Sequence, residues 1–232
     1  IFFIKVFMKT FNHMIFLSSG EFKFVSENYP QYKEKIHFLP FSVDQEFWTS
    51  DKQPIKNRKN VLFIGNDGKR HYKFAIDLAD ELSFLNFDFI TKKITKSDIK
   101  SDNVNLLSGK WDDMNMTDSD IRDYYQKADL CIIPIFNSLQ PSGQSVALQS
   151  MSMGVPVVIT KTDGFWEPKL YNNKENIIFI EKNDIDLWKE NILSLLENKD
   201  LSIKVSKNAK DLVSKNNNLN IFNRKLKDII DS

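Results

Sequence analysis

The stretch "QPSGQSVALQSMSMGVPVVIT", Gln140 to Thr160, reads as a short helix running into a buried strand. Val146, Ala147, Leu148, Met151 and Met153 are apolar at helical spacing, and Ser142, Ser145, Gln149 and Ser152 recur every three or four residues as a polar stripe. Gly154, followed by Val155 and Pro156, predicts a left-handed stop, after which the β-branched run to Thr160 suits a strand covered on both faces. A helix feeding such a strand is the repeating step of a parallel sheet. At the other end Ser142 is the expected cap and Gly143 lets a ligand approach the backbone, so free N–H groups and the positive end of the helix dipole point outward. That suits a phosphate. The stripe either faces water or lines a cleft. No charged residue falls between Gln140 and Thr160 in a chain that is 27% charged, which favours the cleft.

The same alternation extends to both sides. "VLFIG" from Val61 is an apolar strand, Tyr72 to Leu85 has helical spacing through Phe74, Leu78 and Leu82, and "FDFIT" is a second strand. "NVNLLSG", "MTDSDIRDYYQKA" and "DLCIIPI" continue as strand, helix and strand, and "NIIFIE" follows the opening motif. The fold class is α/β, a doubly wound, Rossmann-like parallel sheet with helices on both faces. Helices are expected around Asp184 to Glu197, Leu201 to Ser214 and Leu219 to Asp231. The chain divides into residues 1–48, a polar linker at 49–60 ("TSDKQPIKNRKN"), the alternating domain at 61–216 and a last helix at 217–232.

The 232 residues, 41% of them hydrophobic, are enough for a sizeable core. Lys and Arg (32) balance Asp and Glu (31), so no basic footprint for nucleic acid exists. The single cysteine, Cys131, lies in the apolar run "LCIIPI" and reads as a core thiol, consistent with a reducing, cytoplasmic compartment. "IFFIKVFMKTFNHMIFL" is broken by Lys5, Lys9, Asn12 and His13 and is neither a spanning helix nor a signal peptide. It either lies on a membrane surface or packs against a part of the protein that precedes Ile1.

In open parallel sheets, ligands bind beyond the carboxyl ends of the strands, so the loops there are the places to look. "NDGKRHYK" after the first strand has Gly68 for a tight turn and Arg70 and Lys73 as cations that one diphosphate can use. It lacks the third glycine of a dinucleotide fingerprint, which argues against nicotinamide. Trp111, after the third strand, either stacks on a nucleobase or packs between domains. Asp118 and Asp120 behind Thr117 read as a capped helix start rather than a metal-binding pair. His13, His37 and His71 show no ligand spacing, so no metal is expected.

Taken together, these segments resemble the C-terminal, donor-binding half of a retaining glycosyltransferase of the GT-B fold, family 4 type. "HFLPFSVDQEFW" (His37–Trp48) resembles the interdomain passage, with Ser42 where glycine is usual. "VLFIGND", "DIRDYYQKADLCIIPI" and "ALQSMSMGVPVVIT" resemble the first strand, the helix and strand before the donor loop, and the motif leucine-Glu-Ala-Met-Ala-x-Gly-x-Pro-Val-Val. The resemblance implies that residues 1–48 are a remnant of the acceptor domain plus the passage, that 61–216 binds the donor and that 217–232 packs back toward the N-terminal domain. It assigns Arg70 or Lys73 to the donor diphosphate as leaving-group stabilisers, and Ser142, Gly143, Gln144 and Ser145 to phosphate and sugar. Gln149 stands at the second acid of a Glu-x7-Glu motif, a ribose ligand, and Pro141 stands at the first. Asn66 follows the glycine where arginine is usual.

The implied activity is transfer of a hexose-like group from a nucleoside-diphosphate sugar to a glycan or lipid-linked acceptor, as in polysaccharide biosynthesis. No cofactor or metal is needed, no nucleic acid is bound, and peripheral contact with the inner membrane face runs through the N-terminal domain. The alternatives are a partner-dependent or non-catalytic nucleotide-sugar-binding module and a sugar-nucleotide epimerase.

Overall fold

The computed structural model describes residues 6, 8–50, 59–107 and 116–232. Residues 51–58 of the expected 49–60 linker, Trp111 and the rest of 108–115 lie outside the described residues. Six strands form one wholly parallel sheet: β3 (Asn60–Ile64), β4 (Asn86–Ile90), β5 (Val104–Leu107), β6 (Leu130–Ile133), β7 (Val157–Thr160) and β8 (Ile178–Ile180), in the order β5-β4-β3-β6-β7-β8. The chain moves outward from β3 through β4 to β5, then returns to the other side of β3 as β6. The β3/β6 seam is therefore the topological switch point, where open sheets of this kind leave a crevice beyond the strand ends.

The strands read as unbroken apolar runs because both faces are covered. In β3, Leu62 and Ile64 join a core with α3 (Asp118–Lys127), α4 (Gln144–Ser152) and the C-terminal half of α6 (Lys199–Asn216). Val61 and Phe63 join the opposite core with α2 (Tyr72–Glu81) and α5 (Ile185–Glu197). Cys131 and Ile133 of β6 face the first core, Leu130 and Ile132 the second.

Helix ends follow local chemistry. Thr117 caps α3 with Asp120 closing the capping box, as the Asp118/Asp120 reading anticipates. Gly154 at φ 73° ends α4 in the left-handed conformation, with Val155 N–H bonded to Ser150 O (2.9 Å) and Gly154 N–H to Met151 O (3.0 Å). α2 stops at Glu81, short of the expected Leu85, because Asn103 from a distant loop donates its amide to the carbonyls of Ala79 (3.0 Å) and Leu85 (3.0 Å). That tertiary cap has no local signal.

The N-terminal stretch is not one continuous surface helix. Residues 8–10 are helical, and then β1 (Met14–Phe16), α1 (Ser19–Asn28) and β2 (Ile36–Phe38) form a β-α-β unit with β1 and β2 parallel. The passage that follows is packed onto the sheet domain: Val43 and Trp48 belong to its first core, Trp48 sits edge-on to Tyr125 at 5.7 Å, and Ser152 donates to Trp48 O at 2.6 Å. The last helix, α7 (Leu219–Ile230), buries none of its residues and is anchored by Asn217, whose amide reaches Phe41 O at 3.1 Å. Among the described residues no helix is long and apolar enough to cross a membrane.

Candidate functional site

Two loops meet at the β3/β6 seam: residues 65–71 after β3 and residues 134–143 after β6. They are stitched by backbone bonds from His71 N–H to Pro134 O and from Phe136 N–H to Lys69 O, both 2.9 Å. Between them lies a cleft of about 490 Å3, lined by Asp67 to Arg70 on one side, Gln140 to Ser145 on the other, and Leu17 and Phe41 from the N-terminal segment.

Its floor is a charged clip. Arg70 is buried, with its Nη1 donating to Ser142 Oγ (2.6 Å) and to Asp67 Oδ2 (3.0 Å), and its Nε donating to Ile64 O (3.3 Å). Ser142 passes its own proton to Asp67 Oδ2 at 3.0 Å. Asp67 Oδ1 accepts the backbone N–H groups of Lys69 (2.8 Å) and Arg70 (3.0 Å). Burial draws the guanidinium below its usual pKa, and Asp67 pushes it back up. Tyr72 bonds the Asp67 carbonyl, and burial lifts its phenol to about 12. Two glycines make room for the clip: a Cβ on Gly65 would lie 2.5 Å from Arg70 Nε, and one on Gly143 would lie 3.3 Å from Nη1.

Above the clip stands the start of α4. Gly143 occupies the cap position at φ 81° and supplies no side-chain cap, so Ser142 is not the cap the sequence led one to expect. The physical reason is that the Ser142 hydroxyl is committed to Arg70 and Asp67. The first intrahelical bond is Ala147 N–H to Gly143 O at 2.9 Å, which leaves the amides of Gln144, Ser145 and Val146 without helical partners. The helices α1 to α3 and α5 to α7 each have a side chain bonded at the N-terminus. Here the amides and the dipole are offered to the cleft.

Residues 58–198 match the model of the glycosyl transferases group 1 family. The chain belongs to that family. No curated protein matches the chain at the sequence level. Among solved structures, a glycosyltransferase from Rickettsia africae has a TM-score of 0.73 at 17% identity, covering 97% of this chain and 66% of its own. Anabaena HepE in complex with UDP and glucose gives 0.73 at 15% identity, with coverages of 95% and 63%. The C-terminal domain of LpcC from Francisella tularensis is covered over 99% of its length and 76% of this chain, with a TM-score of 0.55 at 17% identity. These likenesses establish the fold, that of GT-B C-terminal domains, and the chain spans no more than 66% of the first two structures.

Within this member of the glycosyl transferases group 1 family the expected site residues separate into two groups. Arg70, Ser142, Gly143, Gln144 and Ser145 come together around the cleft, Ser145 exposed and Gln144 reaching Leu17 O at 3.4 Å. Lys73, Asn66 and Gln149 do not line it. Lys73 is 80% exposed on the outer side of α2 and pairs with Asp77 at 2.8 Å. Asn66 accepts from Thr91 (3.3 Å) and from Lys92 N–H (2.7 Å), tying the β3 loop to the β4 loop. Gln149 accepts from Tyr125 at 3.2 Å, and Ser152 serves Trp48, so the lower half of the polar stripe faces the interior and the passage. Two cleft residues escaped the sequence reading. Lys69 lines the cleft with no carboxylate partner among the described residues, and Asp67 organises the clip. The signal for Asp67 was present, since an Asx residue before glycine fixes the amides that follow it. Among the described residues no three His, Cys, Asp or Glu side chains are grouped to hold a metal ion.

Proposed function

We propose that the complete protein transfers a hexose-like sugar from a nucleoside-diphosphate sugar to a glycan or lipid-linked acceptor, with retention at the anomeric carbon. This chain supplies the donor-binding half. The observation that carries the reading is the uncapped start of α4, facing a cleft at the switch point of the sheet beside Lys69. Helix amides and a cation are suited to a departing diphosphate, whose growing charge they meet with no reorganisation of solvent. Each such donor removed costs about 3 kcal/mol of barrier. In this reading the leaving-group charge is met by protein groups rather than a metal ion. The neighbouring HepE, bound to UDP and glucose, supports a uridine nucleotide as the first donor to try. A cytoplasmic location beside the membrane follows from a lipid-linked acceptor.

In this reading the diphosphate contacts are Lys69 and the amides of residues 144–146, with Arg70 in the floor beneath them. The cleft lining and the uncapped helix start support it, and Lys73, which does not line the cleft, is left out. Ser142 has no proton to spare, and Arg70 commits its Nη1 to Ser142 and Asp67 and its Nε to Ile64 O. A second reading, a module that binds donor without catalysis, is favoured by Pro141 at the motif's first acid and by the commitment of Gln149 to Tyr125. Calorimetric titration with UDP, GDP, ADP and their sugar conjugates tests the shared step. The expected result is saturable binding of one nucleotide, weakened at least tenfold by Lys69→Met; no binding by the folded chain overturns the donor reading. Product formation by the full-length protein, with its anomeric configuration read by NMR, separates transfer from mere binding.

A further inference from the structure

We infer that Asp67 sets the anion affinity of the cleft, acting as an internal counter-anion that cancels Arg70 and leaves Lys69 and the α4 amides as the net positive field. The inference rests on the donor-site reading above. Its starting point is saturation. A carboxylate has about four acceptor positions, and those of Asp67 are taken by the N–H groups of Lys69 and Arg70, by Arg70 Nη1 and by Ser142 Oγ. Asp67 thus has no lone pair left for a ligand hydroxyl, and its influence is exerted through charge and position. It is a positioning residue, not one that touches substrate.

Arg70 cannot swing away to change this balance. Its side chain is wedged between Gly65 and Gly143, and its Nε is tied to Ile64 O. The guanidinium therefore remains fixed under the cleft whether or not an anion is present, and the field above it depends on the carboxylate at position 67. With Asp67 ionised the pair is close to neutral and Lys69 dominates. Without that carboxylate a second positive charge, itself buried and so poorly screened on the protein side, acts at short range on any diphosphate in the cleft. A diphosphate held by both cations would leave slowly after transfer, so Asp67 favours product release at some cost in affinity.

The test is titration of inorganic pyrophosphate and of UDP into wild type, Asp67→Asn, Ser142→Ala and the double variant Asp67→Asn plus Arg70→Met. Asp67→Asn keeps the outline and removes the charge. Its amide oxygen is left to accept the Lys69 and Arg70 N–H groups, and the new NH2 turns toward Ser142 and Arg70, where Ser142 can reverse to accept. It is expected to bind both anions about tenfold more tightly, which is about 1.4 kcal/mol. Ser142→Ala breaks the clip without changing charge and should give no tightening. The double variant removes the buried pair together, a change often tolerated where breaking the pair is not, and should return to near wild-type affinity. If Asp67→Asn fails to fold, the double variant carries the test, because a purely structural role predicts lost binding there. Equal or weaker binding by folded Asp67→Asn, or a double variant as tight as the single one, overturns the inference while leaving the donor site standing. A wild-type protein that binds neither anion overturns both.

Discussion

Substituting Gly143 by alanine tests the geometry on which the site depends, and its cost can be worked from two separate terms. The residue sits at φ 81°, where an L side chain meets the following carbonyl, at a cost of roughly 1–2 kcal/mol. An added Cβ would also lie 2.6 Å from Ile133 Cγ2, and Ile133 is fully buried in the core behind the clip. Forcing such an overlap costs about 1–3 kcal/mol, for a total of about 2–5 kcal/mol. Gly154 isolates the first term: its φ is 73°, yet nothing lies within 4 Å of the place a Cβ would take, so alanine there should cost only ~1–2 kcal/mol. Gly68 isolates the absence of both, having open space and no positive φ, and alanine there should be neutral or stabilise by about 0.4–1 kcal/mol. Urea denaturation of the three variants gives the ranking. A Gly143 variant within about 0.5 kcal/mol of the Gly154 variant would refute the reasoning, since Ile133 would then be yielding freely and the close packing against the clip would be illusory. In the same variant UDP binding should fall even where the protein remains folded, because the amides of residues 144–146 move with the cap.

Acid should weaken the fold through His71 and His37. His71 Nδ1 accepts Phe74 N–H at 3.2 Å and must be unprotonated to do so, and burial lowers the pKa of both histidines below 6.5. The unfolded chain then takes up protons first, so stability is level above pH 6.5 and falls as pH drops through 6.5 toward the native values. Denaturant midpoints across that range should show the slope, and His71→Gln should reduce it; an unchanged slope in the variant removes His71 as a cause. Cys131 is fully buried and its thiol is pushed up to about 12, so a thiol-specific disulfide reagent at about pH 8 should label it only after unfolding. Rapid stoichiometric labelling of the native chain would contradict the packing of the first core.

The parallel sheet was legible because each strand is covered on both faces and so writes itself as an apolar run, with Leu62 and Phe63 facing different cores and both buried. Gly154 was legible for a similar reason: the left-handed stop is a local backbone demand that few residues meet. What stayed hidden depended on partners far along the chain. The end of α2 is set by Asn103, and the cap of α4 was lost because Ser142 is claimed by Arg70, a residue 72 positions away. The strand order was equally out of reach, since only tertiary pairing places β6 beside β3 and so puts the crevice between their loops.

The ranking of the cations shows the same limit in electrostatic form. Lys69, Arg70 and Lys73 are three similar charges within five residues of sequence, and spacing alone gives no ground for ranking them. Burial and pairing rank them at once. Arg70 pairs with Asp67 in the cleft floor, Lys73 stands on the outer side of α2 away from the cleft, and Lys69 lines it with no carboxylate partner among the described residues. An exposed pair such as Lys73–Asp77 contributes little and breaks readily, whereas the Arg70–Asp67 pair is held by a buried guanidinium and cannot open without stranding a charge. In the proposed donor site a diphosphate meets Lys69 and the amides at the start of α4. On the inference drawn above, its affinity depends on how far the Asp67 carboxylate balances the charge of Arg70.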